Sequence, residues 1–180
     1  MTGARKLGRI AGLDLSALPS AIIGFALVWV VLGAVGLLLP GLSAGEAILA
    51  ALLAAILHWC ADILHQLGHA WAARRTGYPM TGVQFWWVLS SSLYPADEPP
   101  LPRAVHIRRA LGGPIGSALW SLLSGLIVVA LALGSAGGLV WWLALFFFLD
   151  NVLVFTLGAL LPLGFTDGST LLQLRKGTNG

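Results

Sequence analysis

Charge is what this sequence has least of. Asp, Glu, Lys and Arg together make up 9% of the 180 residues, against 58% apolar residues and a mean hydropathy of +0.89. A soluble globular domain, with about 25% charged residues, is excluded by that balance. Cysteine is almost absent too. Cys60 is the single thiol and lies inside an apolar run, so neither an internal disulfide framework nor a cysteine-based zinc site can be built. What remains is an integral membrane protein, for which no nucleic-acid partner is expected.

The apolar residues fall into four runs. Residues 20–39 are uncharged and match a hydrocarbon core of roughly 30 Å; the run is too long for a secretory signal segment and reads as a retained helix. Pro40-Gly41 ends it. A second span covers 47–73 and a third 110–133, with Gly112-Gly113-Pro114 in its first turn, where proline is tolerated. The fourth, 139–172, is interrupted by Pro162 and Gly164 before Asp167-Gly168 and a basic tail, Arg175 and Lys176. Between spans two and three, residues 78–109 contain Val83-Gln84-Phe85-Trp86-Trp87-Val88-Leu89, a β-branched and aromatic run followed by serines and prolines. The predicted fold is therefore an all-α membrane protein of about four transmembrane helices, with a small β-containing interfacial loop between helices two and three. Residues up to about Pro19 read as a basic, amphipathic stretch at the membrane surface.

Every Lys and Arg lies in the N-terminal segment, in the segment between spans two and three, or in the C-terminal tail. The loops around 40–46 and 134–138 carry none. By the positive-inside rule both termini and the 74–109 segment face the cytoplasm of a multi-pass protein in the cell membrane. Trp86 and Trp87 then read as interface anchors. Gly113, Ser117, Ser121 and Gly125, spaced every four residues, form a small-residue stripe for internal helix packing.

The second span carries His65-Gln66-Leu67-Gly68-His69. Histidines four apart on a helix share a face, and both imidazoles can reach one metal ion. In the metalloprotease form of this motif, His-Glu-x-x-His, the Glu is the general base. Here Gln66 holds that position, and a carboxamide has no basic lone pair near neutral pH. The residues that predict a metal thus do not predict hydrolysis.

Three separated blocks resemble the site-2 protease family of intramembrane zinc metallopeptidases. His65-Gln66-Leu67-Gly68-His69-Ala70, with Ala73-Arg74 after it, matches the family's His-Glu-Leu-Gly-His-Ala and trailing Ala-Arg except at the Glu. Gly112-Gly113-Pro114 resembles the Gly-Pro block of the next core helix, without the Asn that follows it in the family. Ala159-Leu160-Leu161-Pro162 through Asp167-Gly168 has the spacing of the family's Asn-x-x-Pro and Asp-Gly block, with Ala159 at the Asn. The resemblance implies a Zn²⁺ ion held by His65, His69 and Asp167, with transmembrane proteins or peptides as substrates in the bilayer. It also implies a substrate-binding β-structured loop, for which Val83 and Phe85, together with Gly113 and Pro114, are the candidates. The departures at Gln66, near Ser117 and at Ala159 fall on positions that serve catalysis or substrate; the missing Asn residues favour natural divergence at Gln66 over an isosteric replacement.

His58, Asp62, His65 and His69 fall on one helical stripe. Asp62 is expected to accept a hydrogen bond from a ligating histidine, or to replace Gln66 as base. Asp150, 17 residues before Asp167 and so about 25 Å away along a continuous helix, is expected to pair with span two rather than to bind the metal. Three functions fit: an intramembrane metallopeptidase that cleaves once its Glu is restored or replaced, a pseudoprotease that keeps zinc and binds membrane-protein segments, or a small ion or proton pathway.

Overall fold

The N-terminal basic stretch, expected as an amphipathic surface segment, is a β-hairpin. In the computed structural model, which describes residues 3–175 and 177, strands β1 (Arg5–Ile10) and β2 (Leu13–Ala17) pair antiparallel. Ala11 and Gly12 link them, both at positive φ (49° and 85°), the two-residue turn whose twist suits a hairpin. Arg9 Nε donates to the Gly12 carbonyl at 3.2 Å, and the Arg74 guanidinium donates to the Ala11 carbonyl. The hairpin was hidden because Ala-Gly lacks the Asn-Gly or Asp-Gly signal and β1 is largely exposed, without a buried face to set an alternation. Lys176 of the basic tail lies outside the described residues.

Helix α1 (Pro19–Gly36) starts with proline at its first position, where the missing N–H costs nothing. Helix α2 (Ala44–Arg75) starts at a capping box: Ser43 Oγ accepts from the Glu46 N–H at 3.3 Å, and the Glu46 carboxylate accepts from the Ser43 N–H at 2.8 Å. Buried alanines along α2, among them Ala47, Ala51, Ala54, Ala55 and Ala61, let its neighbours approach closely. Helix α3 is Arg103–Leu133, and α4 (Gly138–Asp150) runs on as a π-helical segment, Asn151–Gly158. Pro19–Gly36, Ala44–Arg75, Arg103–Leu133 and Gly138–Gly158 are each long and apolar enough to cross a bilayer. After a break around Gly164 (φ +93°), the short helix α5 spans Asp167–Arg175.

The start of α3 corrects one expectation. Arg103, His106, Arg108 and Arg109 made that region read as loop, yet they form the polar beginning of the helix, so Pro114 lies in its interior. An internal proline removes one helical hydrogen bond, here the one that the Ala110 carbonyl would accept.

Strands β3 (Gly82–Trp86) and β4 (Leu89–Leu93) form the expected β-structure between α2 and α3. They join the N-terminal hairpin in one four-stranded sheet, ordered β1-β2-β3-β4, with β2 and β3 parallel. Leu13, Met80, Val83 and Phe85 pack from the sheet onto Ala70 and Ala73 near the end of α2. At the β3–β4 turn, Trp87 (φ 47°) rests its backbone on Gly24 of α1, where a Cβ would overlap the Trp87 carbonyl.

Candidate metal centre

His65 and His69 project from α2 toward Asp167, the first residue of α5. The two Nε2 atoms are 3.0 Å apart, and each is 3.3 Å from Asp167 Oδ2. Ligand atoms about 2.0–2.1 Å from a tetrahedral zinc stand about 3.3 Å from one another, so this triangle has the size of one face of such a site. All three residues are at most partly exposed.

Hydrogen bonds at the far ring nitrogens aim the imidazoles. His69 Nδ1 lies 2.7 Å from the Arg109 carbonyl, which can only accept, so Nδ1 carries the proton and Nε2 the lone pair. The Gly113 N–H, at 3.2 Å from the same nitrogen, is the weaker competitor. His65 Nδ1 meets Ser117 Oγ at 3.0 Å. Two imidazole nitrogens and a carboxylate oxygen converging at these distances can share one cation, and nitrogen and oxygen donors suit Zn²⁺. The residues fit the metal that the sequence implies.

Glycine makes the arrangement possible. A Cβ on Gly113 would run into both imidazole rings, and a Cβ on Gly68 into the Gly112 backbone. Both histidines therefore sit where α2 and α3 touch backbone to backbone.

The remaining candidates divide into separate groups. Asp62 is buried and accepts from Ser90 Oγ at 2.8 Å, while its second oxygen has no partner among the described residues. It bonds neither ligating histidine. That corrects its expected role as acceptor for a ligating histidine: Asp62 and Gln66 form one row along α2, and His65 and His69 form the next. Gln66 Oε1 accepts from Ser92 Oγ at 2.7 Å, and its amide donates to the Ser90 carbonyl at 3.4 Å. His58 bonds Asp150 across to α4 at 3.1 Å and the Val88 carbonyl at 2.7 Å, and neither ligating histidine. Val83 and Phe85, expected against substrate, are 2% and 5% exposed and belong to the sheet's core, because alternation turns their side chains toward α2. Neither Gly113 nor Pro114 borders the cavity at the site. Gly113 packs against the histidine rings instead.

That cavity, of about 700 Å³, reaches from His65, His69 and Asp167 to the β4 residues Leu89 to Ser92. Ala159 and Trp86 also border it. Sequence reasoning missed two supports. Ser117 is fully buried behind His65, and its place four residues after Gly113 in the small-residue stripe was the available signal. The Arg109 side chain, 5% exposed, meets Glu98 through Nη1 at 2.8 Å, the Tyr78 carbonyl through Nη2 at 2.6 Å and the face of Tyr94 at 4.0 Å. Those hydrogen bonds hold the Glu98 carboxyl below the ordinary carboxylate range, while burial pushes the Tyr94 hydroxyl up.

No family model and no curated protein sequence matches the chain. Among solved structures it is similar to the site-2 protease from Methanocaldococcus jannaschii, with a TM-score of 0.60 and 17% identity over 98% of this chain and 74% of that one. At that identity the likeness is one of fold. Four apolar helices, a small four-stranded sheet and this neighbour together make the chain a multi-pass membrane protein with a site-2-protease-like fold.

Proposed function

We propose that this chain is a site-2-protease-like intramembrane zinc metalloprotein that binds segments of membrane proteins, and that it cleaves them only when position 66 carries a carboxylate. The observation that carries this reading is the convergence of His65 Nε2, His69 Nε2 and Asp167 Oδ2 within 3.3 Å, at the wall of a cavity that also exposes an edge strand. Zn²⁺ bound there supplies Lewis acidity toward a peptide carbonyl and toward water.

The chain's own residues divide the remaining work. Among the described residues strand β4 pairs with β3 alone, so an unwound segment that displaces the Gln66 amide from the Ser90 carbonyl can add along its other edge. Gln66, beside the ligands, offers an amide donor and a carbonyl acceptor but no base. Its attachment to Ser90 and Ser92 favours a non-cleaving, pseudoprotease-like binder for the chain as it stands. The orientation in this reading puts both termini and the sheet on the cytoplasmic side, supported by the segregation of Lys and Arg.

Metal analysis of purified protein, together with a cleavage assay on a helical membrane substrate, tests the proposal. Near-stoichiometric zinc is expected, lost in His69→Ala and Asp167→Ala and kept in Gln66→Glu. Cleavage is expected from Gln66→Glu alone, since a general base contributes on the order of 10²–10⁴-fold. Zinc retention with no cleavage by Gln66→Glu would mark a pseudoprotease. Purified protein without metal would leave the buried His and Asp residues to an ion or proton pathway.

A further inference from the structure

A second cavity, of about 840 Å³, lies on the opposite side of the α2–α3 crossing from the metal centre. Its floor is Gly68, Gly112 and Gly116, where the two helices meet backbone to backbone and no side chain fills the valley. Ile115 and Leu119 stand along it, 54% and 65% exposed, as lipid-facing residues do. Among the described residues that line it only two are charged, Arg75 and Arg108, and none is acidic.

The two arginines share one depth. Gly68 abuts Gly116 and Ala72 abuts Gly112; continuing that antiparallel register brings Arg75 level with Arg108. Both are exposed, and neither has an acidic partner among the described residues. The Arg75 guanidinium lies over the Trp71 ring at 4.3 Å from its centroid, which fixes its direction. From Arg108 to Leu123, both lining residues, the valley runs about 22 Å along α3, more than half the thickness of a hydrocarbon core.

We propose that this groove binds an anionic glycerophospholipid, with its phosphodiester between Arg75 and Arg108 and one acyl chain in the glycine-floored valley. Two guanidinium groups at the polar end of an apolar groove match a phosphate in charge and in hydrogen-bond geometry, and basic pockets between transmembrane helices take such headgroups. A zwitterionic lipid brings a cation of its own to the same place. An apolar helix laid in the groove would cover both arginines without a counter-charge. The site faces away from the metal centre, so it stands independently of the proposed protease-like function.

The test is native mass spectrometry of the full chain with phosphatidylglycerol and phosphatidylcholine of identical acyl chains, added in equal amounts. Phosphatidylglycerol adducts are expected in excess by roughly 30-fold, from about fivefold for each arginine at the membrane surface. Arg75→Gln/Arg108→Gln should bring the two lipids level, while Arg103→Gln, outside the groove, should leave the preference intact. Ile115→Trp, which fills the valley and keeps both arginines, should weaken retention of either lipid. A phosphatidylglycerol with a photoactivatable acyl chain should label Leu119 or its neighbours, and elution of each variant at the position of the parent confirms that it has folded. An anionic preference that survives the double arginine variant, undiminished retention by Ile115→Trp, or labelling confined to α1 would overturn the assignment; the last would leave the groove to a protein helix.

Discussion

Ser92 donates its hydroxyl proton to the side-chain oxygen of Gln66 at 2.7 Å, the last rung of a ladder between a strand and a helix. Below it Ser90 Oγ meets Asp62 at 2.8 Å, and the Val88 carbonyl meets His58 at 2.7 Å. Two residues along a strand advance about 6.6–6.8 Å, and four along a helix advance about 6.0 Å. Alternate positions at the end of β3–β4 can therefore match every fourth position of α2 for three rungs before the spacings drift apart. Gln66 belongs to this ladder, and not only to the histidine motif.

Gln66→Ala should accordingly loosen β4 without releasing zinc. Hydrogen exchange across 89–93 is the measurement, with faster exchange expected there and metal content unchanged. Gln66→Glu keeps an acceptor for Ser92 but loses the donor to the Ser90 carbonyl, so its exchange rate should fall between those of the parent and Gln66→Ala. Loss of zinc from Gln66→Ala would sink the separation of the two rows.

Support of the ligands from behind can be tested at Ser117. Ser117→Ala removes the partner of His65 Nδ1, and loss of such a partner typically weakens metal affinity roughly 10–100-fold. Competition with a chelator should read that loss, while Ser121→Ala, whose hydroxyl meets the Ser117 carbonyl and Thr156, should change little. Gly113→Ala should be worse than either, because its Cβ meets both rings.

Acid sensitivity should come from Glu98. Its carboxyl titrates below the ordinary value of 4.5 because of the Arg109 hydrogen bonds, so the unfolded chain binds more protons near that pH. The pair's stabilisation is present above pH 4.5 and fades as the pH falls through the lower, folded value. Melting temperatures of the parent and Glu98→Gln should differ at pH 6 and converge as the pH drops below 4.5. A constant gap would show that Glu98 acts through packing rather than charge.

Orientation is open to cysteine labelling once Cys60 is replaced by Ala. A cysteine at Gly137 should react with an impermeant reagent from outside intact cells, and one at exposed Asp97 should react only after permeabilisation. The reverse pattern would invert the proposed topology.

Much of this architecture was legible in the residues. Apolar runs revealed the spans, and the His65–His69 spacing with Asp167-Gly168 picked out the residues that converge. Polar helix ends were harder to read: Arg103 to Arg109 carry too much charge to resemble a span, although a helix leaving the bilayer needs no apolar face there. The hairpin before α1 was invisible for another reason. Its stability depends on β3, more than 60 residues later, and local pattern carries no record of such a partner. His58, Asp62, His65 and His69 read as one stripe because a helical wheel cannot tell two adjacent rows from one until their partners, β4 and α5, are known.

The parallel register of β2 on β3, Asp14 beside Gly82 through Ala17 beside Phe85, has a consequence for biogenesis. Between these strands the chain crosses the bilayer twice, through α1 and α2, so the sheet can close only after both have inserted with their outer ends on one face. If either α1 or α2 fails to insert, β2 is left across the membrane from its partner, and β3 keeps an unpaired edge. Closure of the sheet thus couples the two insertions, since neither hairpin can complete the sheet while one of the spans is missing.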